Sequence, residues 1–176
     1  MPCDVVHGTT SQGNIVTMTP AVTMLEAARI SFSVNEYDRH LSNDGDLRDF
    51  GQEAAEALGL SADEVFKTLV VASEYDELIV AVLPASCQLS MKLVAVAAAV
   101  KRVSMCPPSV AERSSGYVVG GISPLGQRRQ LRTFIDESAG MFDTIYVSGG
   151  RRGLDIGLAP ADLARVLDAT IAPITA

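Results

Sequence analysis

The chain is short of the residues from which most recognisable catalytic hardware is built. Its 176 residues include only three cysteines, Cys3, Cys87 and Cys106. They are too few and too scattered for a disulfide framework or a zinc site. Their odd number points to a reducing compartment, for which the cytoplasm is the simple reading. Cys87 and Cys106 read as buried small hydrophobes. The two histidines, His7 and His40, lie near no serine or cysteine at a family-like spacing and read as surface residues. No G-x-G-x-x-G and no Walker lysine motif occurs. The run Gly121-Ile122-Ser123-Pro124-Leu125 lacks the second glycine of a nucleophile elbow, and Pro124 resists the helix that must follow. These absences argue against a conventional triad enzyme, a dehydrogenase and a metalloenzyme, and no cofactor or metal is expected. Long hydrophobic runs are missing too. The longest, Leu93 to Val100, has eight residues, half of them alanine, whereas a bilayer span needs about 20. No membrane helix is expected. Residues 1–17 lack a basic start followed by an apolar stretch, so no secretory signal is expected either.

The composition is that of a globular chain. At 48% hydrophobic and 18.6 kDa it has the material for one domain, which at this size buries roughly 70% of its unfolded surface. Net charge is −7 but unevenly spread. Residues 1–66 carry 3 basic and 11 acidic side chains, whereas residues 101–152 carry 8 and 4. A local basic region in an acidic protein suits either one phosphate-bearing ligand or an ordinary solvated surface.

Residues 1–17 read as a flexible leader and 18–176 as one folded unit. Thr19-Pro20 reads as a helix start, with Val22, Leu25 and Ile30 on its apolar side. Phe32 to Glu36 alternates as a half-buried strand does. Ser42 to Asp46 is a loop signal, and Asp49 to Leu58 a helix stopped by Gly59. Ser61-x-x-Glu64 and Ser109-x-x-Glu112 fit capping boxes. Thr68 to Ala72 and Leu78 to Leu83 form a strand pair around the turn Ser73 to Glu77. Ser90 opens a helix to Val100 whose all-round hydrophobicity predicts burial. Arg102 to Cys106, Tyr117 to Val119, Leu131 to Ile135, Thr144 to Val147 and Leu154 to Leu158 are strand-like, and Ala161 to Leu167 is a closing helix. Strands and helices do not alternate strictly, which predicts an α+β fold: a mixed, mostly antiparallel central sheet flanked by helices.

Two glycine pairs follow strands, Gly120-Gly121 and Gly149-Gly150. Such pairs let a backbone approach a ligand and aim N–H groups at an anion or carbonyl. Arg128, Arg129 and Arg132 follow the first, and Arg151 and Arg152 follow the second; guanidinium forks suit phosphates. Two loops of one form favour a ligand site over two ordinary tight turns. Ile122 and Ser123 join the first loop as candidates, and Ser148 the second. Lys67, at the entry to an apolar strand, either snorkels to solvent or places a cation in a pocket. Thr68 should point to the opposite face. Asp155 either positions a charged group or serves a turn.

On Met18-Thr-Pro-Ala-Val22, Val65-Phe-Lys-Thr-Leu69, Arg113-Ser-Ser-Gly-Tyr117, Val119-Gly-Gly-Ile-Ser-Pro-Leu-Gly-Gln127 and Ile145-Tyr-Val-Ser-Gly-Gly-Arg-Arg-Gly-Leu-Asp155, the chain closely resembles the YbaK/EbsC family. The resemblance implies a fold related to the editing domain of bacterial prolyl-tRNA synthetases. It implies an enzyme that deacylates mischarged Cys-tRNA(Pro), and possibly Cys-tRNA(Cys), acting in trans with the synthetase as a monomer. The partner is then the acceptor end of a mischarged tRNA. The resemblance makes Lys67 the key polar residue and lines the pocket with Tyr37, Phe50, Thr68, Gly120, Ser148 and Asp155.

It also implies a chemistry without a protein base. The thiol of the substrate cysteine attacks its own ester carbonyl, a thiolactone leaves and the ribose hydroxyl is freed. Backbone N–H groups of Gly120 and Gly121 are then the candidates for the oxyanion, and Lys67 for the terminal phosphate or the aminoacyl end. Three other readings compete: an alanine-specific deacylase that uses water, a nucleotide- or RNA-binding module without catalysis, and an esterase of small aminoacyl esters.

Overall fold

A computed structural model describes residues 18–38 and 50–176. The leader, both histidines, Cys3, Asp49 and the loop expected at Ser42 to Asp46 lie outside the described residues.

The chain opens with α1 (Pro20–Ala27), where the Thr19 side chain accepts from the Val22 N–H at 3.2 Å and proline takes the first turn. Ala21, Val22 and Leu25 are fully buried. Next come β1 (Phe32–Glu36) and α2 (Phe50–Leu58), the latter ending at Gly59 as expected. Then β2 (Phe66–Ser73) and β3 (Leu78–Pro84) form the anticipated hairpin, in register from Phe66 opposite Pro84 to Ala72 opposite Leu78. The Ser73 Oγ accepts the N–H groups of Tyr75 and Glu77 and holds the turn.

After α3 (Met91–Ala98), β4 (Val103–Met105) and α4 (Pro108–Ser115) come β5 (Arg132–Asp136), β6 (Ile145–Arg151), β7 (Leu154–Leu158), α5 (Pro160–Leu167) and β8 (Thr170–Ala172). Strand pairing divides the sheet structure in two. One sheet has three antiparallel strands in the order β1-β7-β6; the other has five in the order β4-β2-β3-β5-β8, with β5 parallel to both β3 and β8. A parallel bridge between Val65 and Tyr146 links them, supported by the Tyr146 N–H on the Glu64 carbonyl at 2.9 Å. Four of the six strand pairs are antiparallel, so the expected α+β class with mostly antiparallel pairing is what the chain adopts. Strand β3 is central and buried along Ile79–Pro84, which explains its unbroken apolar run: both faces are covered.

Several local expectations fail for identifiable reasons. Ser61 and Glu64 make capping-box contacts, the Glu64 carboxylate accepting the Ser61 N–H at 3.2 Å and the Ser61 Oγ the Asp63 N–H at 3.2 Å. They close a turn rather than open a helix, because Val65 is drawn at once into its bridge with β6. Ser109 lies inside α4, whose cap is Pro107 without a side-chain bond, and Glu112 instead accepts the Val119 N–H at 2.8 Å. Tyr117 to Val119 is not a strand: the Tyr117 hydroxyl reaches the Leu125 carbonyl at 2.7 Å and folds the segment into a compact loop. Helix α3 buries Val94, Ala95 and Ala98, yet Val96 on its other side is 69% exposed. Cys87 is only half-buried, next to Ser86.

Candidate active site

A cavity of about 390 Å³ opens where the first half of β2 passes between the two sheets. Its floor is β2 from Phe66 to Val70; α2 contributes Phe50, Gly51 and Ala54; β6 and β7 contribute Ser148 and Asp155; and the loop after α4 contributes Val119, Gly120 and Ile122. Tyr37, just past β1, closes one side, and Met105, Cys106, Pro108 and Ala111 close the far end. The lining is mostly apolar with a few polar side chains among it, the usual make-up of a pocket that orients a small group and excludes water.

Eight of the twelve expected site residues meet here: Lys67, Gly120, Tyr37, Phe50, Thr68, Ile122, Ser148 and Asp155. Lys67 is half-buried, and its Nζ donates to the Ala85 carbonyl at 3.4 Å. Thr68 lines the cavity too, rather than facing away, because the cavity wraps the strand and every residue from Phe66 to Val70 reaches its wall. The Thr68 Oγ1 is buried and has no hydrogen-bond partner among the described residues. A buried polar atom without a partner is costly, which suits a group whose partner is a ligand.

Asp155 is the most perturbed group of the site. It lies on β7, the middle strand of its sheet, opposite Asn35 on one side and Ser148 on the other. It is 5% exposed. Burial pushes its carboxyl from 3.8 up to about 7, opposed by a hydrogen bond from the Tyr37 side chain. Desolvation penalises the charged form, and one donor offsets only part of that.

The other four expected residues build the site without lining it. Gly121 is buried, and a Cβ there would meet the Arg151 backbone at 2.9 Å. Its N–H donates to the Val118 carbonyl at 2.9 Å, so this expected oxyanion donor is already spent in a turn. Ser123 is fully buried, and its Oγ accepts the Leu125 N–H at 3.2 Å. Gly149 and Gly150 do not form a loop after the strand. They lie within β6 at a bulge, where the register slips between Ser148 and Arg151. The Gly149 carbonyl accepts the Thr19 hydroxyl, and Gly150, at φ +104°, makes room for the Tyr117 ring, which a Cβ would approach to 2.8 Å.

The arginines do not converge as a phosphate cradle. Arg132 pairs with Glu77 at 3.2 Å and Arg151 with Glu36 at 2.8 Å, both at the surface. Arg128 packs beside Gly116, and Arg152 donates to the Val119 carbonyl. The part of the cavity wall formed by Val70, Cys106 and Ala111 was not legible in the sequence as part of a site. Val70, Cys106 and Ala111 form a small buried cluster, and nothing in their spacing distinguishes a pocket wall from core. The Cys106 thiol donates to the Pro107 carbonyl at 3.3 Å, and burial raises its pKa, so it is not poised as a nucleophile.

A pocket where the two sheets meet, with a lysine, a buried carboxyl and a glycine backbone on its wall, is the site of a protein that binds a small group. The family model of the aminoacyl-tRNA editing domain matches residues 45–166, and the chain belongs to that family. It is 33% identical over 160 residues to EbsC of Enterococcus faecalis, provisionally named a Cys-tRNA(Pro)/Cys-tRNA(Cys) deacylase, covering 89% of this chain and 93% of that one. It is 28% identical over 112 residues to YwhH of Bacillus subtilis, covering 64% and 71%. The fold matches a crystal structure described as a candidate trans-editing enzyme for prolyl-tRNA synthetase, with a TM-score of 0.75 at 18% identity, covering 91% of this chain and 99% of that one. Family and fold are thus those that the motifs implied. Among the described residues, no helix is long and apolar enough to cross a membrane.

Proposed function

We propose that this chain removes cysteine from mischarged tRNA(Pro), acting in trans beside prolyl-tRNA synthetase in the cytoplasm, as a monomer in which residues 18–176 form one editing unit. The observation that carries the reading is the cavity itself. It gathers Lys67, Tyr37, Ser148, Asp155 and Gly120 around one space, and the Cys106 thiol in its wall is held to the Pro107 carbonyl with its pKa raised by burial. The thiol of the substrate supplies the nucleophile. Its sulfur attacks the ester carbonyl carbon, the bond from that carbon to the ribose oxygen breaks, and the thiol proton ends on the freed ribose hydroxyl. A five-atom ring is not needed: the product is the small cyclic thioester of cysteine. A thiol keeps a few per cent thiolate near neutrality, so positioning and oxyanion stabilisation suffice. Lys67 holds the aminoacyl end or the terminal phosphate, and the Gly120 N–H faces the developing oxyanion.

Asp155 favours a second reading. A buried carboxyl titrating near 7 suits a general base that activates water, and that chemistry clears alanyl esters as readily as cysteinyl ones.

Deacylation of Cys-tRNA(Pro) by the wild type and by Lys67→Ala, with mass detection of the released product, tests both. Thiolactone release that depends on Lys67 is the expected result and places the enzyme among lyases. Free cysteine as the primary product keeps the editing reaction but replaces its mechanism with water attack, a hydrolase. No turnover on cysteinyl, alanyl or seryl tRNA overturns the enzyme reading in favour of a binding module. Equal turnover of a short cysteinyl ester makes the tRNA dispensable and the protein a small-molecule esterase.

A further inference from the structure

The peptide unit joining Val119 to Gly120 is gripped from one side and open on the other. The Arg152 guanidinium donates twice to the Val119 carbonyl, from Nε at 2.9 Å and from an Nη at 2.7 Å. The preceding Val119 N–H is held by the Glu112 carboxylate at 2.8 Å. Arg152 is itself held with its guanidinium carbon 5.2 Å from the centre of the Phe50 ring, a cation–π contact at the start of α2. Gly120 lines the cavity, and its N–H has no hydrogen-bond acceptor among the described residues. A glycine is required there: φ is +87°, and a Cβ would lie 2.8 Å from the Arg152 Nε and 2.9 Å from the Phe50 ring.

A peptide is planar, and in the trans form its N–H points opposite to its C=O. Whatever fixes the direction of the Val119 carbonyl therefore fixes the direction of the Gly120 N–H. A cation on the carbonyl also draws electron density through the amide and makes the N–H a stronger donor.

We propose that Arg152 is a positioning residue of this site: by clasping the Val119 carbonyl it aims and polarises the Gly120 N–H, which is the oxyanion donor. The proposal rests on the deacylase reading above. It takes Arg152 away from the phosphate-binding role that its place in an arginine pair suggests. It also links α2 to the catalytic loop, since the Phe50 ring and the Val119 carbonyl share one guanidinium. Lysine cannot reproduce the arrangement, because it lacks the planar fork.

Two measurements on the full chain test this, using Arg152→Met and the milder Arg152→Lys in case the first fails to fold. In steady-state deacylation of Cys-tRNA(Pro), both variants should lose kcat by about tenfold or more, less than the roughly 100-fold of losing an oxyanion donor outright because the donor is misdirected rather than removed, with KM changed by less than about twofold. In the free protein labelled with ¹⁵N-glycine, the Gly120 amide proton should move upfield in both variants, as a weakened donor does. A raised KM with unchanged kcat, together with a shallower salt dependence, would identify Arg152 as a phosphate contact and overturn the proposal. An unmoved Gly120 resonance also overturns it. If the wild type deacylates nothing, the deacylase reading fails by itself, and the resonance still decides whether Arg152 polarises this peptide.

Discussion

Ser148 and Asp155 stand opposite one another in the β6–β7 register, at the last regular pair before the Gly149-Gly150 bulge. The bulge ends the regular pairing at the edge of the cavity, and both residues of that last pair line it. A glycine pair that looks in the sequence like a ligand loop is instead a strand irregularity beside two residues that line the cavity.

Asp155 should make stability depend on pH in an unusual direction. Its folded pKa of about 7 lies above the value of 3.8 expected unfolded. Between these values the folded state binds more protons, so stability falls as pH rises from about 4 to 7, and the full penalty stands above 7. Asp155→Asn removes the titration. It should stabilise the protein by something of the order of a few kcal/mol at pH 8 and by close to nothing at pH 4. Urea unfolding at the two pH values checks this; a difference independent of pH would show that Asp155 does not titrate as described.

Gly120→Ala should damage activity more than fold. The new methyl group displaces Arg152 or Phe50 and sits at a left-handed φ, which costs about 1–2 kcal/mol. The loop is half-exposed and can shift, so the melting temperature should fall by only a few degrees. Turnover should fall by roughly 100-fold, since the donor leaves its place. Single-turnover rates beside thermal melts separate the two effects.

Replacing the protein thiols tests the source of the nucleophile. Cys87→Ser, at a half-exposed position outside the cavity, should leave turnover unchanged. Cys106→Ala removes a buried sulfur and should cost about 1 kcal/mol, with a smaller loss of turnover than Lys67→Ala because the thiol is held to the Pro107 carbonyl. Loss of all activity on replacing either cysteine would mean that the protein, not the substrate, supplies the sulfur.

Thr19 joins the helix start to the strand carrying Ser148. Its hydroxyl accepts the Val22 N–H and donates to the Gly149 carbonyl, both in buried surroundings. Thr19→Val keeps the shape and removes both bonds, and should destabilise by about 2 kcal/mol. Denaturant titration of the two proteins measures it, and a change below a few tenths of a kcal/mol would deny Thr19 this role.

Much of this was legible from local signals. The Thr19-Pro20 cap, the β2–β3 hairpin and the stop at Gly59 depend on residues within a few positions of one another, so short-range rules reached them. The parallel placement of β5 beside β3 was not legible, because about 50 residues separate the strands and no local pattern encodes such a partner. The same applies to Ser109 and Glu112: the spacing fits a capping box, yet Glu112 is taken by the Val119 N–H from a later loop.

The sequence by itself determined the family and singled out eight of the residues that line the cavity. The Phe66-Lys67-Thr68 entry to an apolar strand and the two glycine-bearing motifs identify the family before any contact is known. What only the tertiary structure decided is the work each residue does. Burial within the three-stranded sheet, not sequence, raises the Asp155 carboxyl, and the approach of the β6–β7 turn to the loop after α4, not spacing, turns Arg152 from a free cation into a clasp on one peptide. Both effects depend on dielectric surroundings and on distances of a few ångströms between segments remote in the chain, and these exist only once the two sheets have packed.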